Sequence, residues 1–123
     1  MTTAPSRQRR VLVVDDDDDS RELLEELLNL SGHCAVTAAS AAEALDKITS
    51  EKPDLALIDL SLPDADGCEV ARQVRERLGR DIRLVALTGY SDPVTRQRAF
   101  DSGFDRFVVK PLIGNTLEAL LLE

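Results

Sequence analysis

VLVVDDDDDSRELLEELL, residues Val11 to Leu28, joins an uninterrupted aliphatic run to five consecutive aspartates and then to a leucine-striped segment. Four aliphatic residues without polar alternation are the pattern of a strand buried on both faces, as in a parallel sheet. Leu23, Leu24, Leu27, Leu28 and Leu30 recur at the spacing of one helix face, and that stripe stops at Gly32. The stretch therefore reads as strand, acidic turn and helix.

The same unit recurs about five times. Apolar runs follow at Cys34–Ala38, Leu55–Ile58, Arg83–Leu87 and Phe107–Val109. Between them lie amphipathic segments with good ends. Ser40-Ala41-Ala42-Glu43 is a capping box, in which a hydroxyl and a carboxylate satisfy free backbone N–H groups. A third helix, roughly Cys68 to Leu78, is closed by Gly79. Asp92-Pro93 opens a fourth, which Gly103 ends, and a fifth starts near Ile113. This alternation predicts a doubly wound, three-layer α/β domain with a parallel five-stranded sheet.

With 123 residues, the chain suits one domain. The expected division is a flexible tail over residues 1–9 and one domain over 10–123. Apolar residues make up 43% and charged residues 31%, a globular balance rather than a disordered one. The net charge is -8, and five of those charges are Asp15 to Asp19. Such a surface repels phosphate backbones, so direct nucleic-acid binding is not expected. Cys34 and Cys68 lack metal-ligand spacing and read as reduced cysteines of a cytoplasmic protein. No apolar run reaches membrane-spanning length, and the polar, basic start is not a secretion signal.

Doubly wound sheets bind ligands at the carboxyl ends of their strands. Asp15 and Asp16 follow the first strand, Asp59 the third, Thr88 and Gly89 the fourth, and Lys110 and Pro111 the fifth. Each has an ordinary structural reading alone: a helix cap, a strand threonine, a solvated lysine. Together they bring three carboxylates, a hydroxyl and an ammonium to one edge. Carboxylates at close range need a cation or raised pKa values, and hard oxygen ligands suit Mg²⁺. Lys110 offers positive charge and Thr88 a donor to phosphoryl oxygens, while Gly89 leaves room for them. The chemistry is that of a site accepting phosphate on an aspartate.

VLVVDDDDDSRELL, LALIDLSLPDADG, LVALTGY and FVVKP, in that order, resemble the receiver domain of two-component response regulators, across about Arg10 to the chain end. The resemblance implies a flavodoxin-like sheet of strand order 2-1-3-4-5; a receiver of this family is a standard example of that order. It implies that Asp59 is the phosphoacceptor, charged by a histidine kinase or a histidine phosphotransfer protein. Asp15, Asp16, Asp59 and the backbone carbonyl of Ser61 would hold Mg²⁺, with Mn²⁺ as a substitute. Thr88 and Phe107 would be the switch residues, with Lys110 beside the acceptor. Pro63 and Gly67 match the loop after the acceptor, and Lys110-Pro111 the family's joint. The implied output is a changed surface of the fourth helix, fifth strand and fifth helix. An output domain, a target protein or a second copy would read it.

Three rival readings are weaker. Aliphatics followed by Asp-x-Asp are also the start of Mg²⁺-dependent haloacid-dehalogenase phosphatases, with Asp15 as nucleophile. That reading leaves Asp59 and its loop unexplained, and no acidic motif follows Lys110. Asp15, Asp17, Asp19 and Glu26 fall at positions 1, 3, 5 and 12 of a calcium loop, but Ser20 stands where the sharp turn needs glycine. A degenerate receiver serving only protein contacts conflicts with the complete site. His33, in a turn, is expected to be exposed, and Arg96 and Arg98 to form a solvated helix face or part of an output contact; the resemblance implies that Ser61 and Tyr90 flank the path of attacking water.

Overall fold

The computed structural model describes residues 9–89, 92–110, 112 and 114–122. Five βα units follow in order: β1 (Arg10–Val14), α1 (Asp18–Leu30), β2 (Cys34–Ala38), α2 (Ala41–Glu51), β3 (Leu55–Asp59), α3 (Gly67–Leu78), β4 (Arg83–Thr88), α4 (Pro93–Ser102), β5 (Arg106–Val109) and α5 (Gly114–Leu122). All four pairings between these strands are parallel and the sheet order is β2-β1-β3-β4-β5, as the sequence predicts.

The unbroken aliphatic runs have a direct cause. Successive side chains point to opposite faces of the sheet, and both faces are covered. Leu12, Val14, Ala56, Ile58, Leu84 and Ala86 pack on one face under α2, α3 and α4. Val11, Val13, Leu55, Leu57, Val85 and Leu87 pack on the other under Leu24 and Leu28 of α1 and Leu117 and Leu120 of α5. The edge strands β2 and β5 are less buried, because each has a neighbouring strand on one side only.

Helix starts follow from short polar side chains. Asp17, Ser40, Asp66 and Asp92 cap α1, α2, α3 and α4 by accepting backbone N–H bonds. The capping box at α2 differs in one bond: Glu43 accepts the N–H of Ala39 rather than of Ser40. No glycine ends α2. Lys52 takes the left-handed conformation (φ 49°), a strain of about 1–2 kcal/mol for a side chain with a Cβ.

Arg75 ties the lower half together, donating to the carbonyls of Gly103 (2.9 Å), Gly79 (2.9 Å) and Ile82 (2.6 Å) and to Asp105 Oδ2 (2.7 Å). His33 departs from expectation. It is buried, because its Nδ1 accepts the Arg9 N–H at 2.9 Å while the Arg9 carbonyl accepts the N–H of Cys34. Cys34 is exposed on the edge strand, Cys68 is buried, and both are free thiols. Among the described residues no helix is long and apolar enough to cross a membrane. Met1 to Gln8, most of the expected tail, lie outside the described residues, as do Tyr90 and Pro111.

Candidate phosphoacceptor site

The carboxyl edge of the sheet gathers the polar residues that the runs themselves lack. Asp15 directly follows β1, and its N–H bonds the Ala38 carbonyl at 3.1 Å, extending the β1–β2 ladder. Asp59 ends β3 opposite Leu87, and Thr88 ends β4 opposite Val109. The Lys110 N–H donates to the Thr88 carbonyl at 2.7 Å, which fixes the start of the ammonium's stem. Asp15, Asp59 and Thr88 are buried, while Asp16 is exposed.

The two buried carboxylates are held alike. Asp15 Oδ1 accepts the N–H of Asp17 at 3.0 Å, and Asp59 Oδ1 accepts the N–H of Ser61 at 2.8 Å. Their other oxygens share one cation: Lys110 Nζ lies 2.9 Å from Asp15 Oδ2 and 2.6 Å from Asp59 Oδ2. Burial works against the charge on Lys110. The hydrogen bonds and fields of Asp59 and Asp15 outweigh it and raise the lysine pKa above its ordinary 10.5. Asp15, Asp16 and Asp59 each place a carboxylate oxygen within 4.8 Å of the others. Three hard oxygen donors, one of them open to solvent, fit a divalent cation that keeps several waters. Phe107 lies on β5 opposite Ala86, half-buried against the α2–α4 face.

Several supports of this site rest on contacts that the sequence does not show. At Gly67, the first residue of α3, a Cβ would lie 2.6 Å from the Asp59 carbonyl oxygen and 2.9 Å from Leu60 Cα. The helix start thus rests on the backbone of the acceptor candidate. Asp64, in the loop between β3 and α3, accepts the N–H groups of Ala41 (2.8 Å) and Ala42 (3.1 Å) at the start of α2. Those bonds hold its pKa below the ordinary aspartate value. Asp66 accepts the Cys68 N–H, pairs with Arg98 of α4 and forms an isolated bridge with Ser61. Burial pushes the Asp66 pKa up, but the Cys68 amide and Arg98 prevail and lower it. The loop is therefore anchored to three helices. Arg96 and Arg98 are exposed but engaged, Arg98 with Asp66 and Arg96 with two aromatic rings.

Residues 11–122 match the response regulator receiver domain family. This chain belongs to that family.

The receiver domain is 39% identical over 112 residues to the response regulator MprA of Mycobacterium avium, covering 91% of this chain and 47% of that protein. It is 37% identical over 99 residues to the transcriptional regulatory protein AfsQ1 of Streptomyces coelicolor, covering 80% of this chain and 43% of that protein. The chain thus spans less than half the length of these curated relatives. Among solved structures, the chemotaxis protein CheY4 of Vibrio cholerae superimposes with a TM-score of 0.87 at 28% identity, covering 94% of this chain and 97% of that one. The receiver domain of a response regulator named NarL from Mycobacterium tuberculosis gives 0.85 at 32% identity, covering 93% and 94%. The flavodoxin-like order read from the sequence is thereby shared with known receivers. The receiver domain is a phosphoacceptor signalling module of two-component systems, and the family match disfavours the phosphatase reading.

Proposed function

We propose that Asp59 is the residue that receives the phosphoryl group, from a phosphohistidine of a histidine kinase or a histidine phosphotransfer protein. The observation that carries this reading is Lys110 Nζ bridging Asp59 and Asp15 at 2.6 and 2.9 Å. It sets a fixed cation beside the carboxylate that ends the middle strand. A carboxylate oxygen of Asp59 attacks phosphorus, and the bond from phosphorus to the donor imidazole nitrogen breaks with its electron pair. The ammonium of Lys110 neutralises the incoming oxygens. Asp15, Asp16, Asp59 and the Ser61 carbonyl would hold Mg²⁺, with Mn²⁺ as a substitute, the three carboxylates lying close enough together to share it. That ion, when bound, screens the carboxylates and polarises the phosphoryl group.

Thr88 then donates its hydroxyl to a phosphoryl oxygen, and Phe107 takes up the space that movement opens. The phosphoryl group adds about -1.5 to -2 charges and three acceptors, which drives this two-state shift. The surface read by an output domain, a target protein or a second copy is α4, β5 and α5. Val94 (77% exposed) and Val109 (40% exposed) give it apolar contacts. Beside Lys110 and Asp15, a cavity of about 300 Å³ floored by Leu24, Leu87 and Leu112 offers the donor protein a foothold.

Mass spectrometry after treatment with acetyl phosphate and Mg²⁺ tests the reading. The expected result is one phosphoryl group on the wild type, none on Asp59→Ala, and retained labelling with lost output in Thr88→Ala. Equal labelling of Asp59→Ala would overturn it.

A further inference from the structure

Arg96 sits on the outer side of α4, and its guanidinium carbon lies 5.3 Å from the ring centroid of Phe100 and 5.7 Å from that of Phe107. Both distances are within the range in which a cation is attracted to the face of an aromatic ring. Phe100 is four residues on in the same helix, so it shares a face with Arg96. Phe107 belongs to β5. The guanidinium is therefore held by a ring of its own helix and laid over a ring of the neighbouring strand. Among the described residues no carboxylate pairs with Arg96, so the rings are its partners.

We propose that Arg96 is a positioning residue for Phe107: it covers the ring and sets how readily that side chain leaves its place on β5. The idea rests on the reading of Phe107 as a switch residue and adds a second control to it. Movement of Phe107 towards Thr88 breaks the contact, so the contact opposes the shift. A planar guanidinium suits this task because it stacks on aromatic faces, whereas an ammonium is a compact, strongly hydrated charge.

The chain contains three phenylalanines, so a phenylalanine-labelled sample gives a sparse and assignable aromatic spectrum. Wild type, Arg96→Gln and Arg96→Lys are compared without phosphodonor. Phe104, buried and outside both of these cation contacts, serves as the internal control. The expected result in Arg96→Gln is an unmoved Phe104 and a minor Phe107 rotamer about two- to fivefold more populated, the worth of one exposed cation–π contact. Arg96→Lys should recover part of the effect. Unchanged Phe107 signals in Arg96→Gln would overturn the proposal. So would equal shifts of Phe104 and Phe107, or a lysine variant as disruptive as glutamine. Asp59 labelling is read separately on the same samples. Its failure would sink the phosphoacceptor reading and leave the Phe107 populations as a direct measure of Arg96.

Discussion

Replacing Gly67 with alanine sets two physical effects against each other at the acceptor strand. By helix propensity alone, alanine in place of glycine should stabilise α3 by up to about 1 kcal/mol. Packing opposes this. The new Cβ would stand 2.6 Å from the Asp59 carbonyl oxygen, and ordinary contact begins at 3.4 Å, so strand and helix must part by the difference, 0.8 Å. Both near atoms belong to backbone, so no side chain can swing away. Overpacking of this kind costs about 1–3 kcal/mol, occasionally more. The expected net is a loss of about 0–2 kcal/mol, centred near 1, after the propensity gain is set against it. Urea unfolding at the slopes of small domains, about 1–3 kcal/mol per M, should show a midpoint lower by about 0.5 M. Gly89→Ala is the control, since among the described residues nothing lies within 4 Å of its Cβ. It should stay within about 0.5 kcal/mol of wild type. Labelling by acetyl phosphate should also slow in Gly67→Ala, because the strain falls on Asp59, the proposed acceptor. A Gly67→Ala protein more stable than wild type would refute the packing argument.

Arg75→Ala should cost about 3 kcal/mol, because it strips a charged donor from partly buried carbonyls of Gly103 and Ile82 and from Asp105. Arg75→Lys should recover only part of that in the same denaturation assay. The raised pKa of Lys110 gives stability that is complete below the ordinary lysine value of 10.5 and is lost as pH rises through the higher folded value. Unfolding between pH 9 and 12 should therefore show a decline that Lys110→Met lacks; parallel curves would refute the link. A thiol reagent at neutral pH should modify exposed Cys34 in the folded protein. Buried Cys68, whose thiol pKa is raised chiefly by burial, should react only after denaturant is added.

The elements were legible because their signals are local. A run such as Leu55–Ile58 states in its own composition that both faces are covered, and Asp17, Ser40 and Asp92 announce the helices they cap. The converging residues were legible for a related reason: the parallel topology places every strand's carboxyl end on one edge, so strand ends can be read off in order. What escaped the sequence depends on distant segments meeting. Asp64 looks like a loop aspartate until α2 is brought to it. Arg98 looks solvated until Asp66 lies beneath it. His33 follows a glycine in a turn and reads as exposed, but the strand-like approach of Arg9 covers it. Gly67 could be matched to a motif, yet its physical reason, the nearness of the Asp59 backbone, exists only once helix and strand are packed.

The anchoring of the loop by Asp64 has a dynamic consequence. The amides of Ala41 and Ala42 are unpartnered within their own helix and are shielded by a carboxylate more than twenty positions along the chain. Their rate of exchange with deuterated solvent is therefore not a property of α2 alone. Each opening of the loop after Asp59 exposes two protons at the start of another helix. Whatever loosens or tightens the acceptor loop is thus recorded as a change in protection at a place that carries no reactive group.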